Sequence, residues 1–243
     1  MAKEYNLKLA RVSAPYASLP NGTIEGVSVP LVRHHVIPCQ RLVNFWNQLI
    51  LNGTHFALVK DFAAKIKANF KNYGTNIDSR DHENLENLLT DLHNCRHKES
   101  ATTRPGEDGA WDTFVQLYCW LPGNLFGGPK EEHRSDDPKE NFELTSAPII
   151  GQPAFDNLRN LDAAMSGYIN TPANSPKDVL TSFKDNIAAK TAIVAFQADR
   201  WEKKVIDGKN KFAIRPPTRL IEPQPPCERK IRIRGYVDLE IDF

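Results

Sequence analysis

The sequence predicts an α+β fold with more helix than strand. Three observations lead there. Several long stretches repeat apolar residues at i, i+3, i+4 and i+7, the period of a helix with one buried face. Short β-rich pieces bounded by turn residues lie near both ends of the chain. At 243 residues, 40% apolar and 25% charged, the chain can bury a core for one large domain or two small ones.

The elements follow in order. Leu7–Val12 and Thr23–Val32 read as short strands, with a turn at Asn21-Gly22, and Pro38 ends the strand that carries His34 and His35. Leu42, Phe45, Trp46, Leu49 and Ile50 then form one helical face, which Gly53 stops. A second helix spans about His55 to Tyr73, with Leu58, Val59, Phe62, Ile66 and Phe70 inward and Gly74 as its stop. A third spans about Asp81 to Arg96 on a leucine stripe, and the polar residues 98–110 form a loop. Trp111–Leu121 reads as an apolar strand, Pro122-Gly123-Asn124 as a turn, and Pro129 as the first position of a two-turn helix that Pro138 ends. A helix over about Ala154–Ile169 follows. Ser175 caps another with Pro176 at its first position, running to about Val205 before Asp207-Gly208. Strands Lys211–Arg215 and Lys230–Ile241 flank the proline-rich stretch Pro216–Pro226.

Composition excludes several classes. Net charge is +1, from 31 basic and 30 acidic residues, so any attraction for a polyanion has to be local. The N-terminus lacks the apolar stretch of a secretory signal, and no apolar run reaches the roughly 18–20 residues of a membrane-spanning helix. The expectation is a soluble protein made in the cytoplasm, with no membrane partner. Cys39, Cys95, Cys119 and Cys227 show no CxxC pairing and read as reduced thiols without a catalytic role. His93, Cys95 and His97 lack a second ligand pair at zinc spacing and read as a solvated helix end.

Two segments carry chemistry: Arg33-His34-His35-Val36-Ile37-Pro38, and Leu121 to His133, in which eight residues separate Asn124 from His133. Phosphodiester hydrolysis needs a base to activate water, a cation to stabilise the phosphorane, and a group to orient the base. Histidine suits the base because its pKa is about 6.5. An Asn oxygen suits the orienting role, and a helical His can ligate a metal. Strand alternation sends His34 and His35 to opposite sides, one toward the metal and one toward the attacking water.

This pattern resembles the HNH, or His-Me-finger, nucleases, and within them the toxin-type members: nuclease colicins and HHxxP-type bacterial polymorphic toxins. The resemblance covers roughly residues 30–45 and 111–143. It implies a ββα-metal finger around one divalent ion, Mg²⁺ before Zn²⁺, Ni²⁺ or Mn²⁺. By position it makes His35 the general base and Asn124 the central Asn, with His34 and His133 as metal ligands. The colicin branch carries a further His where this chain has Asp137, beside Asp136, and a carboxylate there favours a harder cation. Arg134 would clamp the scissile phosphate. The resemblance also implies a metal-dependent endonuclease acting on DNA: an antibacterial toxin with a cognate immunity protein, delivered by a contact-dependent machine such as a type VI secretion system.

One departure stands out. About 90 residues separate His35 from Asn124, where compact HNH modules have a few tens. The expected organisation is therefore a nuclease domain over 1–143 with a helical insertion at about 40–110, then a helical and β region over 144–243. The alternating Arg229–Arg234 segment could follow a phosphate backbone or be a solvated strand face, and Lys60, Lys65, Lys67 and Lys71 read as solvated helix surface. Two rival readings stand beside this one: a ribonuclease using the same site, and a non-catalytic binding or adaptor protein whose histidines are structural.

Overall fold

A computed structural model describes residues 14–52, 56–68 and 115–216. Several anticipated features lie outside them: strands Leu7–Val12 and Lys230–Ile241, the end of the second helix, the helix Asp81–Arg96, the loop 98–110, the His93–Cys95–His97 cluster and the basic Arg229–Arg234 segment. The described residues form an α+β arrangement. Strands β1 (Gly22–Ile24) and β2 (Val27–Val29), β3 (Leu31–His35) and β4 (Leu125–Pro129), and β5 (Trp201–Ile206) and β6 (Lys209–Ile214) make three antiparallel pairs. The helices are α1 (Cys39–Asn52), α2 (Phe56–Ala68), α3 (Ala147–Ile150), α4 (Gln152–Asn170) and α5 (Lys177–Phe183), with a helical turn over 115–119. No described helix is long and apolar enough to cross a membrane.

α1 and α2 form where the apolar period placed them. Leu42, Phe45, Trp46 and Leu49 are buried from α1, and Val59, Phe62, Ala63 and Ile66 from α2. Both pack on the 115–119 turn through aromatic contacts. The Tyr118 ring stacks on Phe183 at 5.8 Å, Phe62 meets Phe183 edge-on at 4.8 Å, and the Tyr118 hydroxyl donates to the Leu42 carbonyl at 2.7 Å. α4 closes the other side of α1, with Phe45 edge-on to Tyr168 at 5.6 Å and Arg41 paired to Asp162 at 3.1 Å. One apolar cluster runs from Ile24 to Ile214, so the segments before and after residue 143 share it.

Four expectations are corrected. The first turn is at Glu25-Gly26, not Asn21-Gly22: both residues have positive φ (47° and 79°), as a two-residue hairpin of the primed type requires. Residues 115–119 are helical, not part of an apolar strand over Trp111–Leu121. Leu117 through Leu121 are all buried, so no polar face marks the helical period. The strand that pairs with β3 is Leu125–Pro129, so Pro129 ends a strand, and Glu131–His133 is one 3-10 turn in place of a two-turn helix. Gly127 and Gly128 belong to that strand because a Cβ would stand 2.9 Å from the Phe196 backbone nitrogen and 2.6 Å from the Trp201 ring. Finally, the helix after Ser175 stops at Phe183 and a π turn over Lys184–Ala188, and Trp201–Ile206 is a strand. Asp207 (φ 50°) and Gly208 (φ 71°) form its hairpin turn.

The Phe183 ring is fully buried between Tyr118 and Phe62. Phe183→Ala is expected to lower stability by about 3–5 kcal/mol, read as a lower urea midpoint at unchanged slope. An unmoved midpoint would show that these rings do not hold the helices together.

Candidate active site

β3 and β4 pair with Leu31 opposite Pro129, His34 opposite Phe126 and His35 opposite Leu125. Just beyond this pair, Asn124 braces the turn that follows β3. Its Oδ1 accepts from the Ile37 amide and its Nδ2 donates to the Ile37 carbonyl, both at 2.8 Å, while its own carbonyl accepts from the Val36 amide at 2.9 Å. Asn124 is fully buried. It therefore orients the backbone after the histidine pair and does not bond either imidazole among the hydrogen bonds described.

His35 gains its orientation from another source. Its Nε2–H donates to the Cys119 carbonyl at 2.7 Å, and its ring lies 4.7 Å from that of Trp120. A carbonyl can only accept, so Nε2 carries the proton and the neutral ring holds its lone pair at Nδ1. His34 is the buried member of the pair. Its Nε2–H donates to the Pro129 carbonyl at 2.7 Å, and its ring stacks on Phe126 at 5.4 Å. Burial, reinforced by the charge of Arg134, pushes its pKa down to about 4, against the opposing pull of the Pro129 carbonyl, Asp137 and Glu131.

Both histidines line one cleft of about 460 Å³ with Arg33, Cys39, Trp120, Glu131, Arg134, Asp137, Lys139 and Glu143 among its walls. Arg134 has no exposed side-chain surface. Its guanidinium pairs with Glu143 at 2.8 Å and Asp136 at 3.0 Å, and lies 5.3 Å from the Trp201 ring centre. Burial works against its charge, but the two carboxylates more than offset that and raise its pKa. Arg134 thus holds residues 134–143 in place from below the cleft surface, which differs from the exposed phosphate clamp expected of it. Asp137 reaches the cleft, with Oδ1 accepting from the Lys139 amide at 3.0 Å.

His133 lies elsewhere. It is on the surface, 3.8 Å from Glu132, against a second cavity lined by Val27, Lys209, Lys211 and Phe212. The expected ligand set of His34, His133 and Asp137 is therefore not assembled, and among the described residues no three His, Cys, Asp or Glu side chains are grouped to hold an ion. The His34 nitrogen that donates to Pro129 carries a proton and cannot ligate at the same time. This donor set does not fit a divalent ion in the present arrangement.

Sequence reasoning missed Cys119, Trp120, Glu143 and Asp136 as parts of the site. Cys119 contributes a backbone oxygen, which no residue type announces. The Arg134-x-Asp136 spacing was a readable signal for an ion pair.

No family model matches the chain, and no solved structure matches it. It is 28% identical over 149 residues to a protein named putative protein p9 of Acyrthosiphon pisum secondary endosymbiont phage 1, a match covering 59% of this chain and 41% of that one. The chain thus spans about two-fifths of the length of that relative.

Two outcomes are expected from this geometry. Asn124→Ala leaves the buried Ile37 amide and carbonyl without partners, at about 1–3 kcal/mol for each, and displaces His35; chemical unfolding and the His35 imidazole NMR shifts would register the two effects. His34 is neutral when folded and titrates near 6.5 when unfolded, so the unfolded chain binds the extra proton. Stability therefore falls as pH drops from about 6.5 to the folded value of about 4, by at most about 3 kcal/mol, and is flat outside that window. In His34→Gln this slope disappears; an identical slope in both proteins would assign it to another group.

Proposed function

We propose that this chain cleaves nucleic-acid phosphodiester bonds, with His35 as the general base. The observation that carries this reading is the His35 imidazole at the wall of the cleft, its Nε2–H held by the Cys119 carbonyl so that Nδ1 is the proton acceptor. A base with a fixed tautomer and a fixed ring plane avoids the entropy of being oriented during reaction. Arg33 and Lys139, on the same cleft, supply positive charge for a phosphate. Arg134 and Asn124 act as positioning residues: one secures the 134–143 wall, the other the backbone after β3.

The antiparallel pair carrying His34 and His35, with an Asn bracing the turn beside it, supports membership of the His-Me-finger nucleases. DNA is the substrate that this resemblance favours, with the toxin role and immunity partner following from it. A second reading, RNA as substrate, is favoured by one particular observation. The expected metal ligands do not converge, and RNA brings its own 2′-hydroxyl nucleophile, which needs only a base to take its proton. In that case His35 removes the 2′-hydroxyl proton, and the new P–O bond displaces the 5′ oxygen to leave a 2′,3′-cyclic phosphate.

The test is incubation of wild type and His35→Ala with supercoiled plasmid and with total RNA, each with Mg²⁺ and with EDTA. Wild type is expected to cut, and His35→Ala to be slower by about 10²–10⁴-fold at unchanged circular dichroism. RNA cleavage that survives EDTA and leaves cyclic phosphate ends selects the second reading. Plasmid cleavage only with Mg²⁺ selects the first. A His35→Ala protein as fast as wild type removes the base assignment, and a wild type inert on both substrates removes the nuclease reading.

A further inference from the structure

Two cysteines meet at the wall of this cleft. Cys39 is the first residue of α1, half-buried and lining the cleft. Cys119 ends the 115–119 helical turn and is buried. Their thiols are hydrogen-bonded to each other across 80 positions of sequence. The same Cys119 accepts the Nε2–H of His35 on its backbone carbonyl. A thiol pair and the orientation of the imidazole thus share one residue.

We propose that Cys39 and Cys119 are a reversible thiol–disulfide site, oxidised by a low-molecular-weight disulfide of the glutathione type, whose closure displaces the carbonyl that orients His35. The accessible partner is Cys39. Its thiolate attacks one sulfur of glutathione disulfide, forming a mixed disulfide and expelling one glutathione thiolate. The Cys119 thiolate then attacks the Cys39 sulfur and expels the second glutathione. Two protein thiols lose two protons and two electrons, and the electrons reduce one glutathione disulfide to two thiols. The product bond, about 2.05 Å, is shorter than any contact between hydrogen-bonded thiols, so the start of α1 and the 115–119 turn have to close up. The helical turn is clamped on its other side by Tyr118, stacked on Phe183 and donating to Leu42, so the strain falls on the Cys119 backbone.

That closure alters the site rests on the reading of His35 as base; that the bond forms does not. The full-length chain, and its Cys95→Ser/Cys227→Ser form, would be equilibrated across ratios of reduced to oxidised glutathione, trapped by alkylation and mapped by mass spectrometry. A linked Cys39–Cys119 peptide is expected in both. Cys119→Ser should stop at glutathione on Cys39, and Cys39→Ser should leave Cys119 unmodified in the folded protein. Glutathione on Cys39 beside an alkylated Cys119 at every ratio, or no modification at all, overturns the proposal.

The ¹⁵N shifts of the His35 imidazole are expected to move on oxidation and return with dithiothreitol, independently of any activity. Unchanged shifts in the linked protein would overturn the coupling to His35. Cleavage should fall on the order of 100-fold in the oxidised form and recover on reduction. A chain inert in both states sinks the nuclease reading alone, because the linkage and the imidazole shifts still decide this one.

Discussion

The arrangement of the cleft depends on one side-chain amide. Asn124 answers both backbone groups of Ile37 from the far side of the chain, where water cannot do so. A buried peptide unit without partners is costly, so this double bond determines where β3 ends and how the chain turns toward α1. Because Asn124 directly precedes β4, the same residue sets the start of the partner strand. His35 opposite Leu125, and His34 opposite Phe126, follow from that register. The helical insertion between the two strands can then be long without disturbing them, since the junction is closed locally.

A second constraint is electrostatic. A guanidinium with no exposed surface is tolerable only when its charge is met, and Arg134 is met by Glu143 and Asp136 together. These pairs fold residues 134–143 back on themselves and present Asp137 and Lys139 to the cleft. The hairpin of β5 and β6 completes the enclosure. Ser135 donates its amide to the Phe212 carbonyl at 2.9 Å, and Asp136 accepts from the Ile214 amide at 2.7 Å. Asp136 therefore serves the buried cation and the hairpin at once, so the charge on Arg134 and the docking of β6 are parts of one network.

The legibility of the sequence follows the same physics. α1 and α4 are amphipathic, and their periods were readable. The 115–121 stretch is buried all round, which removes the contrast that a period needs. Gly127 and Gly128 were read as breakers because glycine usually is one; here the crowding of Phe196 and Trp201 demands the missing Cβ within a strand. β5 was read as the end of a helix because Glu202, Lys203 and Lys204 suit a helical surface, although Asp207-Gly208 before a second β-rich run already carried a hairpin signal. At the site, the histidine pair, Asn124 and Asp137 were visible as residue types. Their partners are mostly carbonyl oxygens of Cys119, Pro129 and Ile37, and every residue has one of those. The position of His133 could not be read, since it hangs on whether the segment after β4 becomes a helix or a single turn.

The spread of the site along the chain has a consequence for synthesis. The imidazoles come from residues 34 and 35, the carbonyl that holds His35 from residue 119, the buried cation from residue 134, and the strand that locks its partner Asp136 from residues 209–214. Local helices can form as they leave the ribosome, but these long-range closures wait for the last of their parts. A nascent or prematurely terminated chain ending before β6 has histidines but no finished cleft. Competence therefore arrives late and all at once, which spares the producing ribosome and its surroundings from a half-made protein.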